Sequence, residues 1–113
     1  LKLADQRSPE TVATVVKRLT SEPAAFFGLD GVGRLELGAQ ADLAIIDPEV
    51  LRQWDDVSTR QLVYRDLFEH QQMVSRSDGV VTHTFINGEA VWRDGDFTDV
   101  LGSRPLGRAL RAA

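Results

Sequence analysis

The chain has 113 residues, 42% of them hydrophobic and 27% charged, with Lys+Arg 13 against Asp+Glu 17, a net charge of −4 and no cysteine. That length makes one domain and not two, and the mildly acidic mixture of signs excludes an electrostatic grip on nucleic acid or an anionic membrane. Without cysteine there is no disulfide scaffold, thiolate zinc site or cysteine nucleophile, which fits a reducing compartment, and we expect the cytoplasm.

The first element predicted is an amphipathic helix. Ser8-Pro9 reads as N-cap and first helical residue, and Val12, Val15, Val16 and Leu19 then recur at one helical face, which we expect to be buried. A second short helix follows in "TSEPAAFFG", with Thr20 as cap, Pro23 in its first turn and Gly28 as its stop, anchored by Phe26 and Phe27. From Leu35 the pattern turns strand-like, and Leu43 to Ile46 is apolar on both faces, as in a strand covered on both sides. Asp47-Pro48 reads as the turn that ends it. Residues 55–78 are ambiguous, with Leu62, Val63, Leu67, Phe68, Met73 and Val74 partly fitting a helical stripe after a cap at Ser58. The strongest local signal is Asn87-Gly88 between two β-rich runs, the preferred centre of a type I′ hairpin. Pairing across that loop puts Phe85 opposite Ala90 and His83 opposite Trp92, with Thr84, Ile86 and Val91 on the other face.

Candidate chemistry is sparse. Asp42 and Asp47 bracket the apolar strand, but positions five apart in a strand lie about 16 Å apart on opposite faces, while a glycosidase carboxylate pair needs roughly 5 to 9.5 Å. They are therefore read as polar strand ends bonding backbone. A catalytic zinc wants three closely held ligands, whereas the sequence offers only His70 and His83, in no ligand spacing. None of Ser58, Ser75, Ser77 or Ser103 sits in a G-x-S-x-G elbow. "GLDGVG", Gly28 to Gly33, matches neither phosphate-loop spacing and reads as helix stop plus turn. Arg104, Arg108 and Arg111 form a basic end, either solvated or docked on acidic groups of a neighbouring domain. Phe26, Phe27, Trp54 and Trp92 read as core or interface.

Read together, these blocks form a pattern. "LTSEPAAFFGLDGVGRLELGAQADLAIIDPE" resembles the end of an amidohydrolase, with a T-x-x-P-A turn, F-G-L, then G-R-L-x-x-G-x-x-A-D-L and a terminal D-P. "FINGEAVWRDGDFT" with "GSRPLGRALR" is similar to that family's closing hairpin and its P-G-R-x-L-R tail, with Leu106 as an extra residue between Pro105 and Gly107. The resemblance runs over Ser8 to Asp47 and Val80 to Arg111, and within the superfamily it points to the N-acyl-D-amino-acid deacylases, or D-aminoacylases.

The resemblance implies an α+β segment. Residues 1–28 would be the terminal helices of a TIM barrel, and residues 29–113 the strands of a small, mostly antiparallel β-sandwich composed jointly with the N-terminus. It also implies a zinc-dependent parent enzyme that hydrolyses an amide bond. No residue here aligns with the family's H-x-H, bridging lysine or cysteine, or catalytic aspartate, so no catalytic or metal-binding residue is assigned and no zinc is expected in this stretch. The chain begins at leucine, and we expect the natural N-terminus upstream. The expected partners are the missing barrel and N-terminal strands, with self-association or element swapping when they are absent. Two alternatives stand beside this: a free-standing β-rich binding module, and the end of a hydantoinase- or dihydroorotase-like cyclic-amide hydrolase.

Overall fold

The computed structural model describes residues 1–112. Helix α1 is a single turn, Lys2–Asp5, too short to leave a periodic signal in the sequence. Helix α2 spans Pro9–Leu19 with Ser8 as its N-cap, the hydroxyl accepting the Thr11 amide at 3.2 Å. Glu10 in its first turn and Lys17 and Arg18 in its last complement the helix dipole. Helix α3 covers Ser21–Phe26, and here the expected Thr20 cap is corrected. Thr20 also ends α2, where its own amide bonds Lys17, so its hydroxyl donates back to the Val16 carbonyl at 2.8 Å. Gly28 does stop α3, at φ 63°: its amide reaches the Ala25 carbonyl and the Leu29 amide reaches Ala24, the paired bonds of a left-handed helix end.

The rest is strand-rich, so the α+β expectation holds. Strand β1 (Leu43–Ile46) is followed by α4 (Pro48–Gln53), β2 (Arg60–Arg65), a 3-10 turn (Asp66–Phe68), β3 (His70–Ser75), β4 (Val81–Ile86), β5 (Glu89–Arg93) and β6 (Asp96–Phe97). They form an antiparallel sheet in the order β1-β4-β5-β6 and a separate ribbon, β2-β3.

Four expectations are corrected here. The segment 55–78 carries this ribbon rather than a helix: Leu62 lies opposite Met73 on one face, Val63 and Val74 fall on the other, and Leu67 and Phe68 sit in the connecting turn, so the apparent helical stripe is divided between the faces of a ribbon. Asp47-Pro48 opens α4 instead of only ending a strand. The Asp47 carboxylate caps it by accepting the Glu49 and Val50 amides at 2.8 and 3.1 Å. Leu35 and Leu37 stand exposed in irregular turns ahead of β1. Strand β1 is an edge strand with Ala44 and Ile45 exposed, so it is not covered on both faces within this chain.

The hairpin forms as expected, Asn87 and Gly88 both taking positive φ as a type I′ turn requires. Phe85 lies opposite Ala90, but Trp92 faces Thr84 and not His83, because the register slips by one residue at Val91. That bulge turns Val91 and Trp92 toward the same side. Val91 becomes 5% exposed, and the Trp92 indole donates to the Val81 carbonyl at 3.2 Å.

Among the described residues the buried apolar side chains are Ala4, Ala24, Val80 and Val91. The chain exposes 8767 Å², where a closed monomer of this mass exposes about 6200 Å². Its radius of gyration is 16.5 Å, against about 13 Å for a compact chain of this length. The α2 stripe shows why. Val12 and Val15 are half-buried, while Val16, Leu19, Phe26 and Phe27 face solvent, the last two at 83% and 60% exposure. The expected buried stripe is, within this chain, an open face.

Candidate functional site

The two sequence blocks that carried the resemblance meet in space. The Gly88 amide donates to the Ala41 carbonyl at 2.9 Å, and the Asn87 amide donates to Asp42 Oδ1 at 2.8 Å. Gln40 Nε2 holds the other carboxylate oxygen at 2.6 Å. Leu43 then enters β1 opposite Phe85. An Ala-Asp-Leu run thus latches an Asn-Gly turn: Ala41 gives its carbonyl, Asp42 its carboxylate and Leu43 the first strand pair. Asp42 and Asp47 both bond backbone, at opposite ends of β1. The first holds a hairpin tip far along the chain and the second caps a helix.

The other candidate residues are dispersed. His70 lies in the ribbon and His83 in the four-stranded sheet. His70 Nδ1 sits 2.7 Å from the Phe68 carbonyl, so it carries the proton, and Nε2 is left to accept from Gln72 at 3.3 Å. His83 meets the Thr82 hydroxyl at 3.2 Å and stacks on Phe85. The hydroxyls of Ser58 and Ser103 donate to the backbone carbonyls of Asp55 and Val100, and Ser75 bonds the Thr59 hydroxyl. Ser77 lies at the rim of a cleft between ribbon and sheet. The Gly28–Gly33 stretch is a turn in which Gly33, at φ 75°, lies so close to α2 and α3 that a Cβ would fall 2.7 Å from the Thr20 carbonyl oxygen. Of the basic tail, Arg104 pairs with Glu89 and Arg108 donates to the Asp30 carbonyl at 3.3 Å, so the tail docks on its own chain, while Arg111 is exposed. Trp54 donates to the Arg76 carbonyl at 2.9 Å and ties α4 to the end of the ribbon.

The cleft, of about 780 Å³, is floored by Ile86, Val91, Trp92 and Phe97 and flanked by Arg65 and Val74. Trp92 and Phe97 meet edge to face at 5.0 Å. Such a floor suits burial of apolar surface. The perturbed carboxylates lie elsewhere, and all are lowered. Asp5 is held down by its hydrogen bonds from Arg52, Glu10 by Ser8, Asp55 by the Ser58 amide and Asp56 by Arg60. These are caps and surface ion pairs, carboxylates kept ionised rather than poised to take up a proton near neutrality.

The residues present do not fit a metal centre. Among those described, no three His, Cys, Asp or Glu side chains gather where an ion could be held. Nor is any described helix long and apolar enough to cross a membrane.

Comparison with known proteins gives the same family as the motifs. A sequence profile of the amidohydrolase family matches residues 2–95. An uncharacterized protein of Mycobacterium tuberculosis (strain ATCC 25618 / H37Rv) is 38% identical over 89 residues, 77% of this chain and 14% of its own length. A D-aminoacylase of Alcaligenes xylosoxydans xylosoxydans is 35% identical over 95 residues, 84% of this chain and 17% of its own. A 5-methylthioadenosine/S-adenosylhomocysteine deaminase of Haloarcula marismortui is 40% identical over 94 residues, 80% of this chain and 19% of its own. The chain therefore spans less than a fifth of the length of these relatives, and no solved structure matches it. With a family profile over most of its length and its two signature blocks latched to each other, the chain belongs to the amidohydrolase family.

Proposed function

We propose that this chain is a non-catalytic scaffold segment of a metal-dependent amidohydrolase that hydrolyses a C–N bond, with N-acyl-D-amino acids as the favoured substrates. In this reading α1 to α3 lie against a catalytic barrel, and the sheet completes a sandwich with N-terminal strands of the same polypeptide in the cytoplasm. The reacting groups and the zinc reside in that larger part. The observation that carries the reading is the open surface. An excess of roughly 2600 Å² over a closed monomer is the size of one side of an obligate interface, and it includes Phe26, Phe27, Leu62 and Met73.

A second reading keeps the family and changes the bond. The deaminase relative favours removal of an exocyclic amine from a purine nucleoside, and its identity to this chain is no lower than that of the D-aminoacylase. The experiment compares the intact protein with the isolated 113-residue chain on two substrate panels, N-acetyl-D-amino acids and adenosine derivatives. The expected result is turnover of the first panel by the intact protein alone. Turnover of the adenosine panel moves the substrate to the second reading, and metal-dependent turnover by the isolated chain overturns the scaffold role.

A further inference from the structure

Asn87 is the sequence's single asparagine, and it precedes a glycine. An Asn-Gly pair is the dipeptide most prone to spontaneous deamidation, because glycine has no side chain to obstruct its own nitrogen. In that reaction the Gly88 backbone nitrogen attacks Asn87 Cγ, and the bond from Cγ to Nδ2 breaks. Ammonia leaves with the proton from Gly88, and a cyclic succinimide remains. Water then opens the ring at either carbonyl, giving aspartate or an isoaspartate whose extra backbone methylene no type I′ turn accommodates. Both residues are exposed at the hairpin tip, so water reaches them freely.

The geometry points to a guard on this reaction. We propose that Asn87-Gly88 is a modification site whose conversion rate is set by the Ala41–Asp42 latch. The attacking nitrogen is the one whose N–H donates to the Ala41 carbonyl at 2.9 Å. Deprotonated, it would face a carbonyl lone pair instead of a donor, and turned toward Cγ it would forfeit the bond. The neighbouring amide is pinned as well, Asn87 N–H to Asp42 Oδ1 at 2.8 Å, and a Cβ on Gly88 would already lie 3.9 Å from that of Ala41. Attack therefore requires the latch to open first. The molecule offers its own contrast: Asp30-Gly31, Asp78-Gly79 and Asp94-Gly95 can cyclise more slowly by the same route. Among the described residues none of those glycine amides donates a backbone hydrogen bond. The fold restrains the fastest of the four pairs.

The test incubates the intact protein at mildly alkaline pH and follows Asn87 by peptide mapping, scoring the amide-to-acid mass gain and isoaspartate labelling. A free peptide spanning Thr84 to Val91 serves as the unguarded reference. Expected is conversion at least about tenfold slower in the protein than in the peptide, as for an amide that reacts only from an open state. Asp42→Ala, which removes one of the two latch bonds, should raise the rate about fivefold toward that of the peptide, while Asp42→Asn, which keeps the acceptor oxygen, should stay near the parent rate. Trp54→Phe, a perturbation remote from the latch, should leave the rate unchanged. Conversion of the parent protein at the peptide's rate, or an Asp42→Ala rate equal to the parent's, overturns the proposal. If Asp42→Ala does not fold by circular dichroism, Asp42→Asn decides, and conversion of that folded variant at the peptide's rate overturns it too.

Discussion

Two antiparallel hairpins in this molecule have similar strand lengths and opposite circumstances. Strands β4 and β5 lie inside a four-stranded sheet, bury Val91 and have their turn held by Ala41 and Asp42. Strands β2 and β3 stand alone as a ribbon tied by Trp54 and the Thr59–Ser75 hydroxyl pair, with Leu62, Tyr64 and Met73 exposed on one face. An isolated two-stranded ribbon is marginal in water, whereas three or more strands with a buried face hold. The difference teaches that strand pairing alone does not bury an apolar face: the ribbon and the helical face stay open within this chain, and the proposed scaffold role would cover them with polypeptide outside it.

The largest effect expected is on that open face. In the intact protein, Phe26→Ala should cost about 3 kcal/mol in denaturant unfolding, the usual loss for a buried aromatic. In the isolated chain it should instead shift light scattering from associated species toward monomer. Near-neutral stability in both settings would break the contrast between self-supported and externally supported regions. Within the self-supported sheet, Val91→Ala should cost about 2 kcal/mol. Met73→Ala on the ribbon should change the isolated chain by less than about 0.5 kcal/mol, as for an exposed side chain. Equal losses for the two would erase the distinction.

A smaller effect, about 1 kcal/mol, is expected for Asp42→Ala, which strips the Asn87 amide of its acceptor. Hydrogen exchange at Asn87 and Gly88 should quicken while the ribbon amides stay as they were. The smallest concerns the ion pair between α1 and α4. Arg52 bonds Asp5 and lowers its pKa below the ordinary 3.8, so this tie contributes above that value and is lost as pH falls through the lower folded one. Thermal midpoints of the parent and Asp5→Asn should therefore differ slightly near neutrality, draw together only as pH falls below 3.8 and through the lower folded value, and differ less in high salt. A gap that widens in acid would reverse the assignment.

What the sequence discloses follows the same division. Ser8-Pro9, Gly28 and Asn87-Gly88 are legible because each is a local backbone preference, a cap with a fixed φ or a left-handed turn, that the residue types themselves declare. Asp47-Pro48 carries the same cap-then-proline signal as Ser8-Pro9, but α4 is six residues long and too short to add a periodicity. The ribbon escapes because its connection offers no glycine or asparagine. Glu69 takes the left-handed position instead, at φ 52°, where sequence gives no warning. Alternation alone puts Trp92 opposite the wrong residue, because a bulge at Val91 leaves no mark in the pattern. As for the site, the dispersal of the two histidines and four serines follows from their spacing, whereas the role of Asp42 depends on a partner that lies 45 residues away in sequence.

The Asp47 amide donates to the Val80 carbonyl at 2.8 Å, directly where β1 ends and β4 begins. Residues 48–79, with α4 and the whole ribbon, leave the sheet and return to it through that single gate. Closing a loop costs only about 0.6 kcal/mol more for each doubling of its length, so this excursion is a cassette that can be lengthened, trimmed or exchanged while the latched sheet beneath it stays the same.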